Sequence, residues 1–221
     1  MEPTCLWGAR DEAERVLADE LKLFVMLLDE AFKALDDCVD HLVSLNSPYG
    51  RVCGLVMIKA RNLGLGCYSL SIDALAQEAG ALFRPLLECL ELLEYFRREP
   101  TRIDEALDNR LPKAGVIAQR IGGQFKSLRD HLNSHASHLS LSPESMRHLI
   151  DFNSGKLLPV QGHSTSVLRE NLRTLLAVLV WLDIEAANCT LVSATSIDRA
   201  FADRVEDIKR RAFLLFDERT G

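Results

Sequence analysis

The stretch "LKLFVMLLDEAFKALDDCVDHL" (Leu21–Leu42) decides the fold class of this chain. Its apolar residues return every three or four positions, which is the period of one face of an α-helix. The stripe begins upstream, at Val16 and Leu17, so we predict one long amphipathic helix from Asp11 to Leu45. The next residues, "NSPYG" (Asn46–Gly50), are typical of a helix-ending turn.

Helical patterns continue along the rest of the chain. We expect Gly64–Ser69 to break a second helix, Ser71 to cap a third, and Pro85 to kink or break that third helix. Pro112 suits the first turn of a later helix, which the pair Gly122–Gly123 weakens in its middle. The expected helices cover about 51–63, 71–98, 112–134, a short turn or helix within 141–152, 164–191 and 196–216.

The segment "NSGKLLPVQGH" (Asn153–His163) has turn residues on both sides of a short apolar run. It predicts a small β-hairpin or an ordered loop near 153–163. The chain has no internal repeat and no clear boundary between domains. We therefore expect one all-α domain over residues 1–221, a bundle of about six helices.

Composition limits the classes of function. The 221 residues carry a net charge of -6, which does not support a broad basic surface for duplex nucleic acid. The six cysteines form no C-x-x-C pair, and the acidic N-terminus does not resemble a secretory signal, so we expect reduced thiols and a cytoplasmic protein. "LLAVLVWL" (Leu175–Leu182) is shorter than the roughly 20 residues that span a bilayer. It predicts a buried helix that includes Trp181, and no membrane partner.

Three of the six histidines lie in "SLRDHLNSHASHLS" (Ser127–Ser140). On a helix, His131, His135 and His138 would share one face, and H-x-x-x-H is a spacing that can bind zinc. The glutamate of the H-E-x-x-H motif is missing, which removes the general base of a metalloprotease. Alternatively, these imidazoles stabilise a helix C-terminus. We expect neither a metal nor a cofactor.

The segment "RDHLNSH" (Arg129–His135) also fits the pattern R-[N/D/H]-x-x-x-x-H. This pattern resembles the active-site motif of HEPN-domain proteins, an all-α group that includes many metal-independent ribonucleases. "LFRPLLECLELLEYFRREP" (Leu82–Pro100) is similar to the R-x-L-L-E helix of an uncharacterised bacterial HEPN-like family. The resemblance covers about residues 50–190. It implies Arg129, Asp130 and His135 as catalytic residues, with Arg84, Glu88, His131 and His138 as secondary candidates.

The chemistry implied by the resemblance is metal-independent RNA cleavage. A histidine with a pKa near neutral can move the proton of a ribose 2′-hydroxyl, and an arginine can hold the scissile phosphate. Asp130 would orient one of them. On an ideal helix, however, Arg129 and His135 are about 120° apart, so joint action depends on the reach of the arginine.

Two hypotheses about function follow. The first is a HEPN-like endoribonuclease or RNA- or nucleotide-binding protein of a bacterial defence or toxin–antitoxin system, with an antitoxin or another partner protein, and with its site completed across a homodimer. The second is a non-catalytic helical interaction or structural protein. In that case Arg84 and Glu88 form an i, i+4 pair that joins helices, and Arg129 has an internal partner.

Overall fold

A computed structural model describes residues 4–135, 146, 149–157, 162–194 and 198–217, without the side chains of residues 4–7 and 135. These ranges form nine α-helices, one 3-10 turn (Pro100–Arg102) and one two-stranded antiparallel hairpin, which confirms the all-α class but exceeds the six helices predicted. The helices are α1 Thr4–Ala18, α2 Lys22–Ser44, α3 Pro48–Ile72, α4 Ala76–Arg98, α5 Ile103–Leu107, α6 Ala114–Arg120, α7 Lys126–His135, α8 Thr165–Ser193 and α9 Arg199–Asp217, and the strands are β1 Ile150–Asp151 and β2 Lys156–Leu157.

Helix α8 lies at the centre of the bundle and packs against α2, α3, α4 and α9. It is long and apolar enough to cross a membrane by length and composition, but 61% of its most apolar window is buried inside the fold. Its leucines from Leu168 to Leu182 are buried in the core, as predicted for the stretch around Leu175–Leu182. Trp181 is an exception to that prediction, because it is 39% exposed and packs edge-on against Phe125 with the ring centroids 6.3 Å apart.

The single helix predicted from Asp11 to Leu45 is two helices. The amide of Leu21 donates to the carbonyl of Val16, 3.0 Å away, instead of to the carbonyl one turn back. This turn ends α1 and buries Leu21 in the core. The turn after α2 is where the sequence placed it: Ser47 caps α3 by accepting from the amide of Gly50 at 2.9 Å.

The predicted break at Gly64–Ser69 is wrong, because α3 continues through it to Ile72. Gly64 lies against Phe32, and a Cβ there would come within 3.1 Å of the Phe32 ring. The glycine therefore permits close packing between α3 and α2. Ser71 is not an N-cap either, since it lies in the last turn of α3 and its hydroxyl donates to the carbonyl of Cys67 at 2.7 Å.

Helix α4 begins at Ala76 and runs unbroken through Pro85 to Arg98, the end that the sequence predicts. The helix predicted from Pro112 is two helices, since Gly122 and Gly123 both have positive φ and separate α6 from α7. The hairpin pairs Ile150 with Leu157 and lies slightly upstream of the predicted 153–163. Most of the predicted short helix before it lies outside the described residues.

Candidate functional site

The two helices that carry the sequence motifs, α4 and α7, pack against each other, and Arg129 is the motif residue of α7 that contacts α4. Leu132 is buried and docks α7 against the bundle. Arg129, one turn earlier, forms an ion pair with Glu91 of α4. Only 11% of the Arg129 side chain and 2% of the Glu91 side chain are exposed, so this is a nearly buried pair that joins two helices.

The charges of Arg84 and Glu88 also affect the pKa of Arg129. Burial lowers the pKa of the Arg129 guanidinium, the carboxylate of Glu88 opposes that effect, and the positive charge of Arg84 adds to it. Arg84 Nε lies 3.2 Å from Glu88 Oε1, which is the i, i+4 pair predicted from the sequence. The Arg84 side chain is 37% exposed and that of Glu88 is 31% exposed. Solvent therefore reaches this pair much more than the Arg129–Glu91 pair.

Asp130 faces solvent and is paired within its own helix. Its carboxylate accepts from Lys126 Nζ, and its side chain is 56% exposed. The backbone carbonyl of Asp130 accepts from Ser134 Oγ at 2.9 Å. The negative charge of Asp130 raises the pKa of Arg129 slightly through electrostatic attraction. Among the described residues, no hydrogen bond joins Asp130 to the Arg129–Glu91 pair.

The histidines are described only in part. His131 lies on the exposed side of α7, and His135 is the last residue of that helix. The side chain of His135 and all of His138 lie outside the described residues. The proposed zinc site of His131, His135 and His138 therefore stays a prediction. Among the side chains that the structure describes, no three His, Cys, Asp or Glu residues come together as metal ligands would.

Two contacts join Gln124 and α7 to α4. Gln124, just before α7, donates from Nε2 to Glu94 at 3.2 Å, whereas Arg129 pairs with Glu91. From Gln124 to Arg129, the contacted residue of α4 changes from Glu94 to Glu91, so the chain folds back along this part of α4.

A cavity of about 290 Å³ lies beside the two ion pairs, between α3, α4 and the segment that leads into α6. Glu88 and Glu91 line it, together with Lys59 of α3. The wall also includes Cys89, and burial raises the pKa of its thiol to about 11. This thiol stays protonated near neutral pH and is a poor nucleophile there.

The C-terminal half of α4 carries further ion pairs that sequence reasoning missed. Glu94 is buried and accepts from Arg98 at 2.5 Å, and Arg97 donates to Glu185 of α8 at 2.6 and 3.1 Å. The sequence contains one sign of these ion pairs, which is the spacing of the glutamates. Glu91 and Glu94 interrupt a run of leucines at positions that a helical bundle would bury, so each needs a cationic partner. The charged residues of α4 from 84 to 98 are all ion-paired: Arg84, Glu88, Glu91, Glu94, Arg97 and Arg98.

Tyr95 extends this polar network to α5 and α6. Its hydroxyl donates to Glu105 at 2.8 Å and accepts from Arg120 at 2.7 Å. The guanidinium of Arg102 lies 4.2 Å from the centre of the Tyr95 ring. These contacts fix the two short helices against the end of α4.

Comparison of the chain with protein-family models, with curated proteins and with solved structures gives no match.

Proposed function

We propose that this chain is a non-catalytic helical interaction protein, in which the charged residues of α4 hold the bundle together. The observation that carries the proposal is the ion pairing of all six charged side chains of α4 between residues 84 and 98. A phosphate-binding arginine needs access and an unneutralised charge. Arg129 is nearly buried and is neutralised by Glu91.

The exposed face of α3 is the surface that we assign to the interaction. Leu55, Ile58 and Leu65 are all exposed and lie along one side of this helix. Isolated exposed leucines are ordinary, but a stripe on a long helix is typical of a contact surface. The occupant that we propose is a second copy of the chain; the HEPN resemblance also implies a homodimer.

Sedimentation velocity tests this assignment. The parent chain should sediment as a dimer at micromolar concentration, and the double variant Leu55→Glu/Ile58→Glu should sediment as a monomer with unchanged helical circular dichroism. The control is Leu157→Glu, which places one such charge on an exposed leucine of the hairpin. A monomeric parent chain would contradict the proposed self-association.

Metal-independent RNA cleavage is the second candidate function, and one observation favours it. Arg84 is partly exposed, and its charge acts on Arg129 of α7, the helix whose last residue is His135. In this version the more exposed Arg84, rather than the nearly buried Arg129, exchanges its partner Glu88 for the phosphate, and His135 moves the proton of the 2′-hydroxyl. The resemblance to HEPN-domain proteins supports the same pair of residue types.

A cleavage assay separates the two functions. Purified protein is incubated with a mixed RNA pool in the presence of EDTA, beside the variants Arg84→Ala, His135→Ala and Lys126→Ala. The interaction proposal expects no cleavage by any of them. Cleavage by the parent and by Lys126→Ala, lost in the other two variants without loss of folding, would replace it with the ribonuclease function.

A further inference from the structure

The cavity of about 290 Å³ between α3, α4 and the segment that leads into α6 has a mostly apolar wall. Leu63 lines it from α3, Pro85 and Leu92 line it from α4, and Ile117 lines it from α6. The described side chains of this wall include no aromatic ring on which a flat ligand would stack. They suit a flexible aliphatic body. The volume lies close to the lower limit of the roughly 300–1,000 Å³ typical of small-molecule sites, so the ligand has to be small.

The charged groups of the wall leave one charge without a partner. They are Lys59 of α3 and Glu88 and Glu91 of α4. Arg84 pairs with Glu88. Arg129 pairs with Glu91. Among the residues that the structure describes, Lys59 has neither an ion pair nor a side-chain hydrogen bond. The cavity therefore carries one positive charge that the fold does not neutralise, and an anion suits it.

Lys59 is exposed and also borders the cavity, so its ammonium group can reach a ligand there. Burial raises the pKa of the thiol of Cys89, another residue of the wall, and the positive charge of Lys59 opposes that effect. On an α-helix, Lys59 lies about 100° around the axis from Ile58. The cavity and the apolar stripe of α3 that we assign to self-association are therefore on different sides of this helix.

We propose that this cavity binds a small aliphatic carboxylate, whose anionic end pairs with Lys59 and whose chain lies against the leucines of α3 and α4. An ammonium group donates a charge-assisted hydrogen bond to a carboxylate. Transfer of the aliphatic chain from water to the apolar wall adds to the binding. A cationic ligand would meet an unpaired lysine and two glutamates that already have partners. The site is separate from the stripe of α3 and does not depend on the interaction proposed above.

Three probes of similar shape and different charge test the proposal: hexanoate, hexanamide and hexylammonium. The isotope-labelled full chain is titrated with each probe at pH 7 and followed by NMR. Hexanoate should bind at millimolar concentration, shift the amide signals of Leu63 and Cys89, and have a Kd at least fivefold lower than the Kd of either other probe. Butanoate, with two fewer methylenes, should bind about tenfold more weakly than hexanoate, because each buried methylene strengthens binding about fourfold.

Variants of Lys59 test the partner of the carboxylate. Lys59→Met removes the charge and keeps most of the side-chain length, so the preference for hexanoate over hexanamide should disappear. Lys59→Arg keeps the charge and should keep the preference. Lys22→Met is the matched control, because Lys22 is an exposed lysine at the start of α2, outside the described wall of the cavity. It should bind hexanoate as the parent does.

Circular dichroism verifies the folding of each variant. If Lys59→Met does not fold, Ala114→Phe provides the second test, because it enlarges a side chain of the wall and should weaken hexanoate at least fivefold. Four results would each overturn the proposal. They are failure of hexanoate to bind, equal or tighter binding of hexanamide or hexylammonium, equal binding of butanoate, and unchanged binding of hexanoate in a folded Lys59→Met or Ala114→Phe chain.

Discussion

The nearly buried ion pair between Arg129 and Glu91 should contribute strongly to the stability of the fold. Arg129→Ala leaves the carboxylate of Glu91 almost fully buried without its cation. Removing one partner of a buried pair destabilises by about 3 kcal/mol, at the lower end of the measured range, because an uncompensated charge stays in the fold. Urea denaturation should show that loss. Arg84→Ala breaks a solvent-exposed i, i+4 pair and should change the unfolding free energy by less than about 0.5 kcal/mol.

A double variant identifies the cause of the loss. In Arg129→Ala/Glu91→Gln the remaining group is neutral, so most of the lost stability should return. If the double variant is as unstable as Arg129→Ala alone, the buried charge of Glu91 is not responsible, and the loss comes from the packing of the arginine stem.

Asp183 gives a prediction with a defined pH dependence. Burial within the fold raises the pKa of this residue of α8, so above an unfolded pKa of about 3.9 the folded chain keeps a proton that the unfolded chain loses. The contribution of Asp183 to the free energy of unfolding is therefore greatest below the unfolded pKa. It falls by about 1.4 kcal/mol per pH unit as the pH rises from there to the folded pKa. Asp183→Asn removes that dependence. The unfolding free energy of Asp183→Asn, measured relative to that of the parent, should rise between pH 4.5 and pH 7. A difference that stays constant would contradict a raised pKa of Asp183 in the folded state.

Individual residues also show how far sequence reasoning reaches. Arg84 with Glu88 follows from a spacing of four, which places both on one helix face. Arg129 could be singled out by its motif, but its partner could not, because Glu91 lies 38 positions away and becomes a neighbour only when α7 folds back on α4. Neither carboxyl oxygen of Asp183 has a hydrogen-bond partner among the described residues, and no local pattern contains that information.

At the scale of helices, glycine explains the main error in the predicted element bounds. A glycine usually marks the end of a helix, and Gly122–Gly123 do separate α6 from α7. Gly64 is instead buried inside α3, where the ring of Phe32 excludes a side chain. The same residue type serves two purposes, and tertiary contact decides between them. The core-facing stripes of α2 and α8 were predictable because their periods come from the helix itself.

Gly64→Ala tests this role of the glycine. An added Cβ would lie 3.1 Å and 3.2 Å from two atoms of the Phe32 ring, and relief requires that a packed ring move. Overpacking of this kind destabilises by about 1–3 kcal/mol, which exceeds the gain of about 1 kcal/mol in helix propensity. Gly8→Ala is the control, because no atom of the described residues lies within 4 Å of its added Cβ, and it should raise stability slightly. Both are measured as changes in the urea midpoint, and equal stabilisation would show that Gly64 has room.

At the scale of the molecule, one continuous core joins the first helix to the last. Buried side chains from Ala13 of α1 to Ala212 of α9 belong to a single cluster, and α8 contacts most of the long helices. Helix α9 is also tied to α2 by two ion pairs, Arg204–Asp37 and Arg211–Glu30. Loss of any long helix would expose the apolar face of α8, so we expect the helices to unfold together.

Cooperative unfolding can be measured with two probes that sense different parts of the molecule. Far-UV circular dichroism follows all helices, and tryptophan fluorescence follows Trp181 on α8 once Trp7 has been replaced by phenylalanine. The two urea transitions of the Trp7→Phe chain should coincide, as expected for one cooperative unit. Leu179→Ala, a fully buried position of α8, should shift both midpoints equally and lower stability by about 2–5 kcal/mol. A dichroism transition that precedes the fluorescence change would mean that peripheral helices detach before the α8 core unfolds.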